Sequence, residues 1–544
     1  MESAFASHLN TNFDPSDEDI ERIRSDIVSR LAELEGIDER IRELSTQRDR
    51  IQGYIDSHKA IISHPRRLPP DIIREIFIVC LPADRNAVMS AQEAPLILCR
   101  ICSAWRFIAL STPRLWSTLH VPAEFILAKK QARLSAIAQW LRLSGSCQLS
   151  LSLATLGEPR GWATPSAPND PADVSAIIKA LALPSDRWCN IEVSHLSEEA
   201  ALQFADFPTP MLESVEITAE VSALRQINLF RAPSLRAVSL HAWLGTERLD
   251  DFLLDLPFFW DRLTHISFDC TGHDNPSQGL SLHNVLTLLR RCSRLIFLGF
   301  RPNAEGSWAE SNSEPLMLPF LKSFIMFGPA VLNVRAVGRL LRHLSMPELC
   351  ELHVPAVSST EPDSYFLATI GTTSPLLEHL LINIQSFTKD SILETLRYLP
   401  KLTMLVALNT PSWSPNPWPM SQPSHDPVVD RSNPEHLLVL LAPDPETQSL
   451  TVCSGLRELQ LSDCDLLDKN TVAEFLQKRM DFANDFHRLE IFFQRPWKAM
   501  SADEIQSFTS RGLDLSFVHG HDPWGADPVE SNPWTGLSSA GHQI

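Results

Sequence analysis

Nine times between Leu212 and Leu461 the chain repeats one short phrase, three apolar residues spaced as Leu-x-x-Leu-x-Leu, and this recurrence restricts the possible fold more than any other feature. The triplets are Leu212, Val215, Ile217; Leu235, Val238, Leu240; Leu263, Ile266, Phe268; Leu295, Leu298, Phe300; and Leu321, Phe324, Met326. They continue as Leu349, Leu352, Val354; Leu377, Leu380, Ile382; Leu402, Leu405, Ala407; and Leu456, Leu459, Leu461. Successive first residues stand 23, 28, 32, 26, 28, 28, 25 and 54 positions apart. The last two apolar residues of each triplet are separated by a single position, the period of a strand with one buried face. Helix-like stretches lie between them, among them Leu282 to Arg291, Val334 to Leu344, Lys389 to Leu399 and Thr471 to Met480. Strand and helix alternating at a near-constant period predict stacked coils, with the triplets pointing inward, the helices covering the other side and the strands joined in a parallel sheet. The period of two argues against a helical bundle. A dinucleotide-binding doubly wound sheet lacks its glycine-rich turn here, and the whole chain holds only nineteen glycines.

The phrase and its repeat length resemble those of leucine-rich-repeat proteins, which implies a curved solenoid over residues 148–520. Before it, a connector over 119–147 is expected, with an extended piece from Ser117 to Val121 and a helix from Glu124 to Leu143. The 54-residue gap holds a proline-rich insertion at 410–434 with Trp413 and Trp418, which composition reads as a loop or as a lid with two aromatic anchors against a target. Residues 1–15 and the polar tail 521–544 are expected to be disordered.

From residue 16 to 63 a seven-residue rhythm takes over. Ile20, Ile27, Leu34, Ile41, Arg48, Ile55 and Ile62 hold one seam position, and Ile23, Arg30, Ile37, Leu44, Ile51 and His58 the other. Interleaved acids and bases suit a solvated helix, and Ser16 followed by three acids suits its start. The pattern leaves open a coiled coil that pairs two copies or recruits a partner, and a long helix lying on its own domain.

Between 64 and 118 the heptads give way to Leu68, Pro69, Pro70, Asp71, Ile72, Ile73, Ile76 and Phe77, with Pro70 suited to a first helical position. A second helix is expected from Pro95 to Leu110, carrying Ile101, Cys102 and Trp105, and a third element carries Leu115 and Trp116. This ordered set resembles the F-box family, whose pattern runs Leu-Pro, an acid, paired aliphatics, Ile-Phe, then Val-Cys-Arg-x-Trp and a closing Leu-Trp. Ser103 replaces the usual base after the cysteine, and the loop between the first helices is long. In both the long loop and the preceding heptads the chain is similar to F-box-like variants of fungi. The resemblance implies a three-helix module that docks a Skp-type adaptor and, through it, a cullin. It implies adaptor contacts at Leu68, Pro69, Ile72, Ile76, Phe77 and Ile101, and a module core of Ile73, Cys102, Trp105, Leu115 and Trp116. The fold expected for the whole is α/β: a long amino-terminal helix, the three-helix F-box-like module, then the leucine-rich-repeat-like solenoid.

Chemistry-bearing patterns are few. Cys99 and Cys102 have metal-like spacing without a second pair, and Asp463, Cys464, Asp465, His519 and His521 read as solvated or structural, so no metal and no cofactor are expected. No phosphate-binding loop, serine elbow or His-Glu-x-x-His helix is present, which predicts a non-catalytic subunit. Forty-seven Lys and Arg against 66 Asp and Glu give a net charge of −19 without a basic stripe, so nucleic acid is not an expected partner. No apolar run reaches the ~18 to 20 residues needed to span a bilayer. The first fourteen residues lack a signal-like core, and cytoplasm or nucleus is expected. The function implied is that of a substrate receptor of an SCF-type (Skp, cullin, F-box) ubiquitin ligase, holding an unidentified protein target on the solenoid. The alternative is a leucine-rich-repeat interaction scaffold independent of ubiquitination.

Overall fold

The computed structural model describes residues 5–62, 64–123, 129–155, 171–204, 207–243, 248–270, 279–303, 315–327, 332–354, 357–358, 376–409, 432–443, 450, 452–462, 464, 467–482, 485–493 and 500–519. It divides into two compact units, Met1–Ile76 and Phe77–Ile544.

The first unit is dominated by helix α1, Asp17–Ile61. Ser16 caps it, accepting from the Asp19 N–H while Asp19 reaches back to Ser16, so two of the orphan donors of the first turn are satisfied reciprocally. Its seam side chains Ile27, Leu34, Ile37, Ile41, Leu44, Ile51 and Ile55 are all exposed. Arg30 is held by Asp26 and Glu33 of its own helix. Ahead of α1, Ala6–His8 forms one turn of 3-10 helix within the stretch expected to be disordered. Helix α2, Pro70–Val79, begins in this unit.

The second unit is a 14-stranded parallel sheet in which strand order follows chain order throughout. The strands are β1 Thr118–Pro122, β2 Leu149–Ala154, β3 Trp188–Leu196, β4 Ser214–Glu220, β5 Ala237–Trp243, β6 His265–Cys270 and β7 Phe297–Phe300. Then follow β8 Ser323–Met326, β9 Glu351–Val354, β10 His379–Asn383, β11 Met404–Leu408, β12 Glu458–Leu461, β13 Arg488–Phe493 and β14 Asp514–His519. This is the leucine-rich-repeat-like solenoid of parallel strands that the triplets predict.

Register makes the triplets one continuous object. The middle residue of each pairs with the middle residue of the next, as Val215 with Val238, Val238 with Ile266, Ile266 with Leu298, Leu298 with Phe324 and Phe324 with Leu352. The series runs on through Leu380, Leu405, Leu459 and Leu489. These side chains are buried, and each transfers about 1.5–3 kcal/mol of apolar burial to the core. In front of the strands a row of backbone hydrogen bonds repeats the same step: Glu213 N–H to Cys189, Arg236 to Glu213, Thr264 to Arg236, Ile296 to Thr264 and Lys322 to Ile296, all at 2.7–2.8 Å.

The sheet is longer than the triplets alone predict. β1 pairs in register with β2, Leu119 to Leu151 and Val121 to Leu153, so the solenoid starts at Thr118 and the expected connector over 119–147 holds its first strand. Here Trp116 takes the place of the leading leucine, three positions before Leu119, as Trp188 does before Ile191 and Phe486 before Leu489. A large aromatic fills the same buried site; Trp116 is 2% and Trp188 1% exposed. At the far end the leading position before Leu515 is Gly512 with φ +94°, where only a glycine is unstrained.

The covering helices include α5 Lys130–Leu143 and α6 Pro171–Ala182, after the short α3 and α4 treated below, then α7 Leu282–Arg291, α8 Val334–Arg342, α9 Lys389–Arg397, α10 Pro434–Leu441, α11 Lys469–Phe482 and α12 Ala502–Thr509. Their starts are capped locally: Ser281 for α7, Thr388 for α9, Asn433 with Pro434 for α10, and Ser501 with Glu504 for α12. The proline-rich insertion at 410–434 lies outside the described residues as far as 431. Its last residues belong to the solenoid, because Ser432 N–H donates to the Phe387 carbonyl and Pro434 opens α10. The tail 521–544 lies outside the described residues, as do Asp463 and Asp465. Among the described residues no helix is long and apolar enough to cross a membrane.

Candidate docking surfaces

Residues 64–118 form helical elements where the sequence predicts them, with one difference. The second helix is broken in two, α3 Leu98–Ile101 and α4 Ser103–Leu110, because Cys102 is fully extended at φ −158° and ψ 170°. Its sulfur accepts from the Trp105 N–H, so Cys102 acts as the amino-terminal cap of α4. Arg106 Nε donates to the Cys99 carbonyl at 2.8 Å and ties the two pieces together. A 3-10 turn, Pro113–Trp116, closes the segment, and Trp116 Nε1 donates to the Ala109 carbonyl at 2.9 Å.

The predicted site residues separate by burial. In the first unit Pro69, Ile72 and Ile76 are exposed, Ile72 at 49% and Ile76 at 42%, Leu68 is half-buried and Ile73 is buried. Ile72 and Ile76 stand four positions apart on α2 and share a helix face. In the second unit Ile101 is 55% exposed, while Leu115 and Trp116 are sealed. Two expectations are corrected. Phe77, expected among the docking contacts, is fully buried and meets the half-buried Trp105 edge to face, ring centroids 4.9 Å apart. Cys102, expected in the core, is exposed at its cap position.

Sequence reasoning missed further uncovered apolar groups: Ile97, Leu110, Val79 at 83% and the larger Phe107 at 72% exposed. The helical period offered a signal, since Phe107 stands about 100° around α4 from the buried Ile108 and shares a side with the exposed Ser103 and Leu110.

The segment is not detached from the sheet. Val88 forms a parallel bridge to His120, and the Ala87 carbonyl accepts from His120 N–H at 2.8 Å. Asn86 donates to Ser152, which also contacts His120 Nδ1 at 2.8 Å. Residues from Phe77 through the solenoid therefore belong to one compact unit, instead of a separate module ending at 118.

The second surface is the face of the sheet whose side chains alternate with the buried triplets. On β3 to β6 it carries Glu192, Glu216, His241 and Asp269, and Arg301 follows directly after β7. Glu192 and Glu216 are register partners. Burial, then the neighbouring Glu216, pushes the Glu192 carboxyl up to about 7. His241 lies 3.5 Å from Glu216 and 3.0 Å from the Ser239 hydroxyl. Burial pulls its pKa down, but the Glu216 hydrogen bond and the surrounding carboxylates outweigh this and leave it raised. Arg301 donates to Asp269 at 2.7 Å. Next along the sheet come Phe297, Gly299 and Phe327, then Glu351 with His353 at 3.1 Å.

Among the described residues no group of three His, Cys, Asp or Glu is placed to hold a metal ion. Cys99 is half-buried, and Cys464 is buried with its thiol toward the Ser462 carbonyl.

No protein-family model matches the chain, and comparison with curated proteins gave no match. Solved structures do match. One is a Bacteroides fragilis protein from a structural genomics consortium, at 14% identity and TM-score 0.31, covering 54% of this chain and 68% of that one. Another is the complex of Rad7 and Elc1 in yeast, at 12% identity and TM-score 0.33, covering 64% of this chain and 88% of that one.

Proposed function

We propose that this chain is a non-catalytic substrate receptor of a Skp/cullin/F-box-type ubiquitin ligase, acting in cytoplasm or nucleus. The observation that carries the reading is a burial pattern. At F-box-like positions Ile72 and Ile76 of the first unit and Ile101 of the second remain in water, while the solenoid core seals nearly every triplet side chain. Each such group covered by a partner contributes roughly 1.5–3 kcal/mol, so a few of them suffice for a docking site. The Skp-type adaptor is the partner that the motif implies, with a cullin beyond it. Phe77 and Trp105 then act as internal support of the docking helices.

The open face of the sheet is the surface for the protein target, and α1 associates with a second copy through its uncovered seam. The chain supplies proximity between target and transfer machinery, for which no reactive side chain is needed.

Pull-down of the full chain with a purified Skp-type adaptor tests the reading. Wild type is captured, Leu68→Ala/Pro69→Ala is weakened, and Ile76→Glu and Ile101→Glu are lost. Equal capture of all four, or of none, leaves a scaffold outside the ubiquitin system.

A further inference from the structure

Within the second unit, between α5 and the stretch from Met89 to Leu110, lies a cavity of about 570 Å3. That is inside the range of roughly 300–1,000 Å3 typical of small-molecule sites. It is a cleft open to solvent on one side. Ala132, Ala136 and Gln139 recur at the helical spacing and so share one exposed face of α5, and the two small side chains leave the mouth of the cleft wide.

The deeply buried part of the lining is aromatic. Trp116 and Trp140 meet edge to face with centroids 4.8 Å apart. Both indole N–H groups are already engaged, Trp116 with the Ala109 carbonyl and Trp140 with the Thr118 carbonyl at 3.1 Å, so the rings offer only apolar surface. The charged part of the lining is of one sign, from Arg106 and Arg133, and among the described residues no carboxylate lines the space. Burial lowers the pKa of Arg133, the mark of a guanidinium that has lost part of its hydration. Such a group gains more from an arriving anion than a fully solvated one does.

We infer that this cavity binds a small amphipathic carboxylate, its apolar body against Trp116 and Trp140 and its anionic head at the Arg106 and Arg133 guanidiniums. The inference does not depend on adaptor docking, because none of Leu68, Pro69, Ile72, Ile76, Phe77 and Ile101 lines the cavity.

Dodecanoate and its uncharged counterpart dodecanol, both below their aggregation limits, serve as probes in calorimetric titrations of the full chain. Dodecanoate saturates at one molecule per chain, and dodecanol binds at least about tenfold more weakly, a difference of about 1.4 kcal/mol. Filling the space with Ala136→Trp, or with Gln139→Trp should the first fail to fold, removes both signals. Neutralising the pair with Arg106→Gln/Arg133→Gln weakens dodecanoate at least about tenfold and leaves dodecanol unchanged, with thermal melts confirming that the variants fold. Failure of dodecanoate to saturate, or binding that survives the filling variants, overturns the site. Loss on filling without loss on neutralisation overturns the carboxylate assignment.

Discussion

The guanidinium of Arg479 on α11 donates to the carbonyl of Cys453 at 2.7 Å across a sequence separation of 26 residues, in a place where no solvent reaches either side chain to any extent. The same side chain donates to the Leu441 carbonyl at 2.9 Å, so one cation joins the end of α10 to the turn before β12. Cys453 itself sits at φ +47°, a left-handed conformation uncommon outside glycine. Burial lowers the Arg479 pKa to about 10, which still leaves the group charged at neutral pH. Arg479 thus serves as a brace that reaches the Leu441 carbonyl and adds a second donor to the Cys453 carbonyl, which the Leu456 N–H meets at 3.1 Å.

Replacing Arg479 by leucine keeps apolar bulk but takes this donor from the Leu441 carbonyl and leaves the Cys453 carbonyl with the Leu456 N–H alone. The expected loss is about 1–3 kcal/mol, the cost of one under-satisfied buried acceptor. Lysine, with one donor centre in place of a fork, recovers only part of it. Chemical denaturation of both variants checks the order wild type, Lys, Leu.

Phe77 and Ile101 carry opposite expectations despite their shared apolar character. Phe77→Ala removes a sealed ring and costs about 3–5 kcal/mol. Ile101→Glu changes an open position and costs under about 1 kcal/mol, while abolishing adaptor capture. Thermal melts beside the pull-down separate the two; a large destabilisation by Ile101→Glu contradicts the surface assignment.

Two glycines of the sheet differ in what surrounds them. A methyl group on Gly279 would lie 2.5 Å from the Pro302 backbone, beside the parallel bridge between Leu280 and Pro302. A methyl group on Gly299 would meet side chains and no backbone, the ring of Phe327 at 2.5 Å and that of Phe297 at 3.2 Å, and the ends of side chains can shift. Gly279→Ala is expected to cost about 1–3 kcal/mol and Gly299→Ala under half of that. Equal melting temperatures for the two variants would contradict this account.

The pair Glu192 and Glu216 makes the solenoid sensitive to pH. The folded-state pKa of Glu192, about 7, exceeds its unfolded value near 4.5, so the folded chain binds an extra proton between these limits. The stabilisation is complete below about pH 4.5 and is lost as pH rises through 7. Glu192→Gln therefore raises the melting temperature at pH 8 and has little effect at pH 5, worth about 1–2 kcal/mol after allowance for remaining solvent contact. Paired melts at the two pH values provide the check.

If the α1 seam joins two copies, the full chain has twice its monomer mass in solution and Leu34→Lys/Leu44→Lys returns it to a monomer. Both leucines are already exposed within their own unit, so the substitution leaves the helix intact. Light scattering across a concentration series decides.

Much of this architecture is legible in residue order because the same buried site recurs in coil after coil. α7 occupies the stretch that its period predicts, Leu282–Arg291, and the triplets from Leu212 onward each become a strand. The additional strands β1, β3 and β13 escape a search for leucine because Trp116, Trp188 and Phe486 fill the leading position. The site requires volume and apolarity, which an indole or phenyl ring also supplies. The helices between 70 and 116 are readable as a motif, but not the side on which each residue falls. Phe77 looks like its neighbours Ile72 and Ile76, and only the packing of its ring on Trp105 sets it apart. Cys102 could not be read as a cap, since cysteine is not among the residue types that ordinarily take that position.

A sheet whose strands follow chain order has no keystone. Each coil answers only to the one before and the one after, so the loss or duplication of a whole coil would present matching cut faces. Length is thereby released from foldability. A lineage could extend or shorten the sheet in whole courses without redesigning its first coil.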